Sequence, residues 1–320
     1  MKNFVKIPTV KLNNGVNMPV LGLGTSKAKD DNLFKAVCTA IDYGYRHIDC
    51  AYVYGNESII GDAIQAKISD GTVQREELFI TSKLWRSFNR PEHMEECFAE
   101  SLRRLKVDYF DLYLFHWPEA NKYEGLCKPT INGAEWDEDI DYVDTWKAMQ
   151  NFAKSGRAKT LGVSNFNAFQ MSRLLKESTD VPAVNQVESH PYFNQDKLIK
   201  FCQGHNIVIT AYCPIGSFDR PTAQAAGPMV LSDPVLAQIA ETHGKTAAQV
   251  ALRFNLQRGV TVIPKSVTPS RLEENMRVFD FDLSPENMSA IFGLDRGQRL
   301  CPSVNDKGHK YFPFVENYSE

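Results

Sequence analysis

The stretch NLFKAVCTAIDYGYRHIDC, residues 32–50, sets a helix and a strand back to back. Leu33, Val37, Ala40 and Ile41 recur at the spacing of a helix with one apolar face. His47–Cys50 follows as a short apolar run of strand length. The same unit repeats along the chain. Strand-like runs occur at Val20–Leu23, His47–Cys50, Leu78–Thr81, Tyr109–Phe115, Thr160–Val163, Ala183–Val187, Ile207–Tyr212 and Val260–Ile263, eight in all. Helical stripes lie between them, for example Met94, Phe98, Leu102 and Leu105, or Ala247, Val250, Ala251 and Phe254. Alternating strand and helix argues for a parallel sheet covered by helices. Eight such units in about 250 residues match the size of an α/β (β/α)8 TIM barrel. A doubly wound sheet is the competitor, and periodicity does not separate the two.

Outside the repeat, Thr9–Leu12, the turn Asn13-Asn14-Gly15 and Val16–Met18 read as an N-terminal β-hairpin that would plug the barrel bottom. Pro118–Asp141 and Pro214–Ser232 are long, non-repetitive loops, expected over the C-terminal face. No low-complexity segment or linker divides residues 1–320, so a single domain is expected.

The 36 Lys and Arg against 39 Asp and Glu leave a net charge of −3, with no general attraction to nucleic acid or an anionic membrane. The seven cysteines are odd in number and without C-x-x-C spacing, against a disulfide framework or a zinc site. MKNFVKIPTV holds no apolar run long enough to read as a signal peptide, and no segment approaches the roughly 20 apolar residues of a membrane span. A cytoplasmic protein is the expectation.

Polar residues fall regularly at the ends of the strand runs. They are Asp49, Lys83, His116, Ser164 with Asn165, Gln186 with Glu188, Tyr212 and Lys265, with Tyr54 just beyond Asp49. Taken singly, Asp49 reads as a loop cap, Lys83 as a solvated side chain, His116 as a core histidine and Tyr54 as loop packing. A barrel would bring them all to one rim. Together they make a phenol, an ammonium, a carboxylate and an imidazole. An ammonium beside a phenol favours phenolate and lowers its pKa, which suits a general acid near neutral pH. Such a set suits protonation of a carbonyl oxygen while hydride reaches the carbon, and hydride requires a cofactor.

A Rossmann fingerprint is absent, since Gly22-Leu23-Gly24 continues without a third glycine. The better anion site is IPKSVTPSRLEEN, residues 263–275, where Lys265, Ser266 and Arg271 meet a helix N-terminus. A solvated, capped helix is the equal alternative there. No metal motif, P-loop or G-x-S-x-G elbow is present. Cys213 and Cys301 are candidate reactive thiols, but no base is evident near them in the sequence, so packing is the preferred reading.

GLGT, GYRHIDCAYVYGNE, FITSKLW, LYLFHWP, GVSNFN, NQVESHPY, AYCPIGS and IPKSVTPSRLEEN together resemble the aldo-keto reductase superfamily, in its aldose/aldehyde reductase branch. The resemblance covers nearly the whole chain. It implies a (β/α)8 barrel, NADPH/NADP+ bound without a Rossmann motif, no metal, a small-molecule carbonyl substrate and a monomer. It implies Tyr54 as general acid, Lys83 and Asp49 as its tuning pair and His116 as the orienter of the carbonyl. Ser164, Asn165 and Gln186 would hold the carboxamide of the nicotinamide, Tyr212 would stack on it, and Thr25 would also bind the cofactor. Ile215, Ser217 and Asp219 would close over the pyrophosphate. Lys265, Ser266 and Arg271 would take the 2′-phosphate, and Glu274 and Asn275 the adenine. Val53, Trp85, His116, Trp117 and Cys301 would line the substrate pocket. The chain departs from the branch at Ser26, Cys213 and Gln298, where an aromatic residue, a serine and a tryptophan are usual. Non-catalytic relatives make a cofactor-binding barrel with a structural or regulatory role the alternative.

Overall fold

The structure, a computed structural model, describes residues 6–127, 129–131, 133–217 and 229–314. Its main sheet has eight strands, all parallel: β3 (Leu23–Gly24), β4 (His47–Asp49), β5 (Phe79–Leu84), β6 (Leu112–Phe115), β7 (Leu161–Ser164), β8 (Val184–Glu188), β9 (Val208–Tyr212) and β10 (Thr261–Val262). They pair in chain order, and the ends close on each other. Parallel bridges join Leu21 to Val262 and Gly24 to Lys265. This closure selects the (β/α)8 barrel over the doubly wound sheet. At the seam the backbones come so close that a Cβ on Gly24 would lie 2.5 Å from the Ile263 carbonyl oxygen.

Helices α1 (Asp30–Tyr43), α2 (Glu57–Ser69), α3 (Pro91–Leu105), α4 (Tyr142–Lys154), α5 (Ala168–Glu177), α6 (Asp196–Gly204), α7 (Pro234–His243), α8 (Ala247–Gln257), α9 (Pro269–Met276) and α10 (Pro285–Phe292) accompany the strands. The apolar stripes behave as the periodicity requires. Leu33, Val37, Ala40 and Ile41 of α1 are all buried. Each such side chain contributes roughly 1.5–3 kcal/mol of burial if aliphatic and large. Helix α1 stops at Gly44, whose φ of 100° lets its N–H turn back to the Ala40 and Ile41 carbonyls. A reciprocal box between Thr246 and Gln249 starts α8.

The hairpin is present as β1 (Thr9–Lys11) antiparallel to β2 (Asn17–Pro19). Leu12 and Met18 pack with Phe79, Leu112, Leu114, Ala183 and Val184, near the strand starts, so the hairpin closes the barrel bottom as expected.

Strand period two then decides what rises to the top. On β5, Ser82 turns outward to the α2 carboxylate of Glu57 at 2.7 Å, whereas Phe79, Thr81 and Lys83 turn inward. On β6 the inward series is Leu112, Leu114 and then His116; on β8 it is Val184, Gln186 and Glu188. The interior is apolar below and polar above, so charged and hydrogen-bonding groups meet at the C-terminal rim.

Candidate active site

Asp49 ends β4 and is 1% exposed; Lys83, from the neighbouring strand, is fully buried. Lys83 Nζ donates to Asp49 Oδ1 at 2.6 Å and to the Cys50 carbonyl at 2.8 Å, and reaches Tyr54 Oη at 3.4 Å. The sequence reading has Lys83 following the third strand. It lies inside β5 instead, because β5 extends to Leu84 and pairs there with β6. Tyr54 sits half-buried at the end of a 3₁₀ turn, Tyr52–Tyr54, closed by Gly55 at φ 65°. His116 follows β6. Its ring meets that of Tyr54 edge-on, with centroids 6.0 Å apart.

Burial disfavours the Lys83 ammonium, but Asp49 and Tyr54 outweigh it and hold the pKa above the ordinary lysine value. Tyr54 is a correction. The sequence reading has its phenol lowered by Lys83, yet the net direction is up. Burial raises it, and the attraction of Lys83 opposes this without reversing it. The phenol therefore keeps its proton at neutral pH. Burial drives His116 well below the usual histidine range, and Lys83 and Arg86 add to this, so its imidazole is neutral.

A second network adjoins the first. Gln186 Nε2 donates to the other Asp49 oxygen at 2.8 Å. Ser164 Oγ donates to the Gln186 carbonyl at 2.8 Å, and Tyr212 Oη to Asn165 Oδ1 at 2.8 Å. Asn165, in the left-handed region at φ 64°, also donates to the His116 carbonyl at 3.0 Å. Thr25 Oγ1 donates to the Asp49 carbonyl at 2.7 Å. Asn165 Nδ2 also donates to Ser164 Oγ at 3.2 Å, so the rim residues named from sequence on β4 to β9, Glu188 excepted, are joined by hydrogen bonds.

Lys265, Ser266 and Arg271 lie past β10 and at the start of α9. The bridge from Gly24 to Lys265 places them on the same rim as Thr25. Lys265 and Arg271 are exposed and Ser266 is buried. Thr268, the N-cap of α9, makes no side-chain cap to the helix, and Arg271 lies in its first turn. That donor set fits a phosphate. Asn275 is buried, and Glu274 is already engaged, accepting from Thr246 Oγ1 at 2.7 Å. Ile215 and Ser217 lie just after β9; Asp219 lies outside the described residues.

The expected pocket wall clusters around His116. Trp85 meets its ring edge-on at 5.4 Å, Trp117 stacks at 6.4 Å, and Val53 belongs to the Tyr54 turn. Arg86 lies over both tryptophans and pairs with Asp306 at 2.9 Å, pinning the C-terminal segment to this wall. Cys301 is held by Glu188, which accepts the Leu300 and Cys301 N–H groups at 2.5 and 2.9 Å. Sequence reading marked Glu188 as a strand-end polar residue but gave it no role, and missed Arg86 and Asp306. Glu188 also bonds the nearby His190 at 2.9 Å, but Leu300 and Cys301 lie 112 and 113 residues away, and no local pattern announces them. Among the described residues no group of three or more His, Cys, Asp or Glu could hold a metal ion, and no helix is long and apolar enough to cross a membrane.

Comparison with known proteins agrees with this architecture. The model of the aldo/keto reductase family matches residues 20–296. Aldo-keto reductase family 1 member A1-A of Danio rerio is 43% identical over 321 residues, covering 97% of this chain and 99% of that protein. Dihydrodiol dehydrogenase 3 of Bos taurus is 44% identical over 316 residues, covering 97% and 98%. Rho crystallin of Aquarana catesbeiana is 43% identical over 322 residues, covering 98% and 99%.

Proposed function

The chain belongs to the aldo/keto reductase family, and from that premise we propose that this oxidoreductase is an NADPH-dependent reductase of aldehydes, extending to ketones and aldoses. The observation that carries the reading is the reach of Lys83 Nζ to both Asp49 at 2.6 Å and Tyr54 Oη at 3.4 Å, beside a neutral His116.

When bound, the dinucleotide supplies hydride to the carbonyl carbon. Everything else falls to the chain. Tyr54 holds a proton at neutral pH and gives it to the carbonyl oxygen as negative charge develops there. Lys83 stabilises the phenolate left behind, and Asp49 balances Lys83 so that the ammonium tolerates burial. Neutral His116 orients the carbonyl oxygen through a ring N–H. Trp85 and Trp117 keep water from the reacting atoms. Ser164, Asn165, Gln186 and Tyr212 hold the nicotinamide end. Lys265, Ser266 and Arg271, at the uncapped start of α9, take the 2′-phosphate.

The test is steady-state NADPH oxidation with a reactive aromatic aldehyde. Tyr54→Phe should lower kcat by about 10²–10⁴ while NADPH fluorescence quenching persists. Equal rates for the two proteins would refute the assignment. Quenching without turnover on any carbonyl would favour the cofactor-binding, non-catalytic reading.

A further inference from the structure

Two thiols far apart in sequence meet at the site's edge. Cys213 leaves β9 immediately after Tyr212, and Cys301 lies on the C-terminal segment; their sulfurs are 3.7 Å apart and both are reduced. The approach is built by the fold. Cys213 adopts a φ of 49°, in the left-handed region that non-glycine residues rarely occupy. The Cys301 backbone is clamped by Glu188, which accepts from its N–H at 2.9 Å. The two segments are also packed together, since a Cβ on Gly216 would lie 3.7 Å from Leu300 Cδ1. Cys213 is half-buried and Cys301 is 8% exposed. Cys213 also lies close enough to Tyr54 and Tyr212 for a charge on its sulfur to raise both phenols.

We propose that Cys213 and Cys301 form a peroxide-responsive dithiol whose disulfide ties the root of the loop after β9 to the C-terminal wall of the pocket. The more exposed Cys213 sulfur attacks a peroxide oxygen. The O–O bond breaks, the leaving oxygen takes the thiol proton, and water departs from a Cys213 sulfenic acid. Cys301 then attacks that sulfur, the S–O bond breaks, and the hydroxyl leaves with the second thiol proton as water. Two thiols lose two electrons and the peroxide gains them. The sulfurs must close from 3.7 Å to the bond length of about 2.05 Å, a shift within reach of side-chain rotation. The bond would join Tyr212's neighbour to the pocket wall and restrain residues 214–217 beside it. The effect on turnover rests on the reductase reading; the chemistry of the bond does not.

The experiment treats the full-length Cys127→Ser protein, which lacks the exposed thiol, with hydrogen peroxide. Peptides are mapped by fragmentation that separates Cys202 from Cys213. The NADPH-dependent rate is followed before treatment, after it, and after dithiothreitol. The expected result is a peptide pair joined through Cys213 and Cys301, absent when Cys213→Ser is added. The rate should fall and recover with dithiothreitol; each protein is normalised to its own untreated rate. Separate sulfinic acids at the two positions, or unmodified thiols, would overturn the proposal. A joined pair with an unchanged rate would overturn its regulatory part. Absence of any turnover before treatment would instead count against the reductase reading, and the peptide map would still decide the disulfide.

Discussion

Asp49→Asn changes one atom in a pair sealed from water. The Asp49 and Lys83 side chains are 2% and 0% exposed and their charged atoms are 2.6 Å apart. Both carboxylate oxygens accept from nitrogen donors, Lys83 Nζ on one and Gln186 Nε2 on the other. An amide at this position must turn its NH₂ toward one of these donors, whichever way it flips. It also leaves a buried ammonium without its counter-charge. Breaking a buried pair from one side costs about 3–5 kcal/mol, a large share of a stability of about 5–15 kcal/mol. Urea unfolding at neutral pH should show that loss as a lower midpoint with an unchanged slope. Asp62→Ala provides the contrast. It breaks the pair with Lys106, whose side chains are 53% and 52% exposed, and should cost less than about 1 kcal/mol. The pH dependence has a defined sign. Lys83 is held above its ordinary value of 10.5, so the pair's contribution is fully present below that pH and lost as pH rises past it. The gap between parent and Asp49→Asn should therefore narrow in strong base. A cost below about 1 kcal/mol at neutral pH, equal to that of the exposed pair, would refute the account of Lys83 as a buried ion held by Asp49.

Arg271→Ala should raise the KM for NADPH by about tenfold or more, roughly 1.4 kcal/mol, with little change for NADH; equal effects in steady-state kinetics would remove the 2′-phosphate assignment. Glu119 is fully buried, and burial raises its carboxyl to about 8, with Arg86 opposing and Asp306 adding. The folded chain therefore keeps a proton that the unfolded chain releases from its ordinary value of 4.5 upward, and stability is lost between these two values. Glu119→Gln should escape that loss, gaining on the parent by at most about 3.5 kcal/mol as pH rises from 5 to 8. Thermal or urea unfolding that gives a pH-independent difference would contradict this.

The helices and strands were legible because their signals are local. The stripes of α1, α3 and α8 and the eight apolar runs each repeat within a dozen residues or so. The polar residues at the run ends were legible as a set, since strand period two and a common rim leave them one place to go. Boundaries were less so: the reading stopped the third strand before Lys83, which β5 includes. Closure into a barrel was not local at all, and bridges from Leu21 and Gly24 to residues beyond 260 decided it.

The sequence by itself determined the elements, the order in which they alternate, and the chemical groups that end them, because these follow from spacing along the chain. The tertiary structure alone decided which groups touch and how each holds its proton. Gln186 bonds Asp49 across 137 residues, and Cys213 meets Cys301 across 88. The direction of the Tyr54 shift reversed the expectation drawn from its charged neighbour. The reason is that desolvation sums over everything packed around a group, whereas a sequence shows only which charges are available to oppose it.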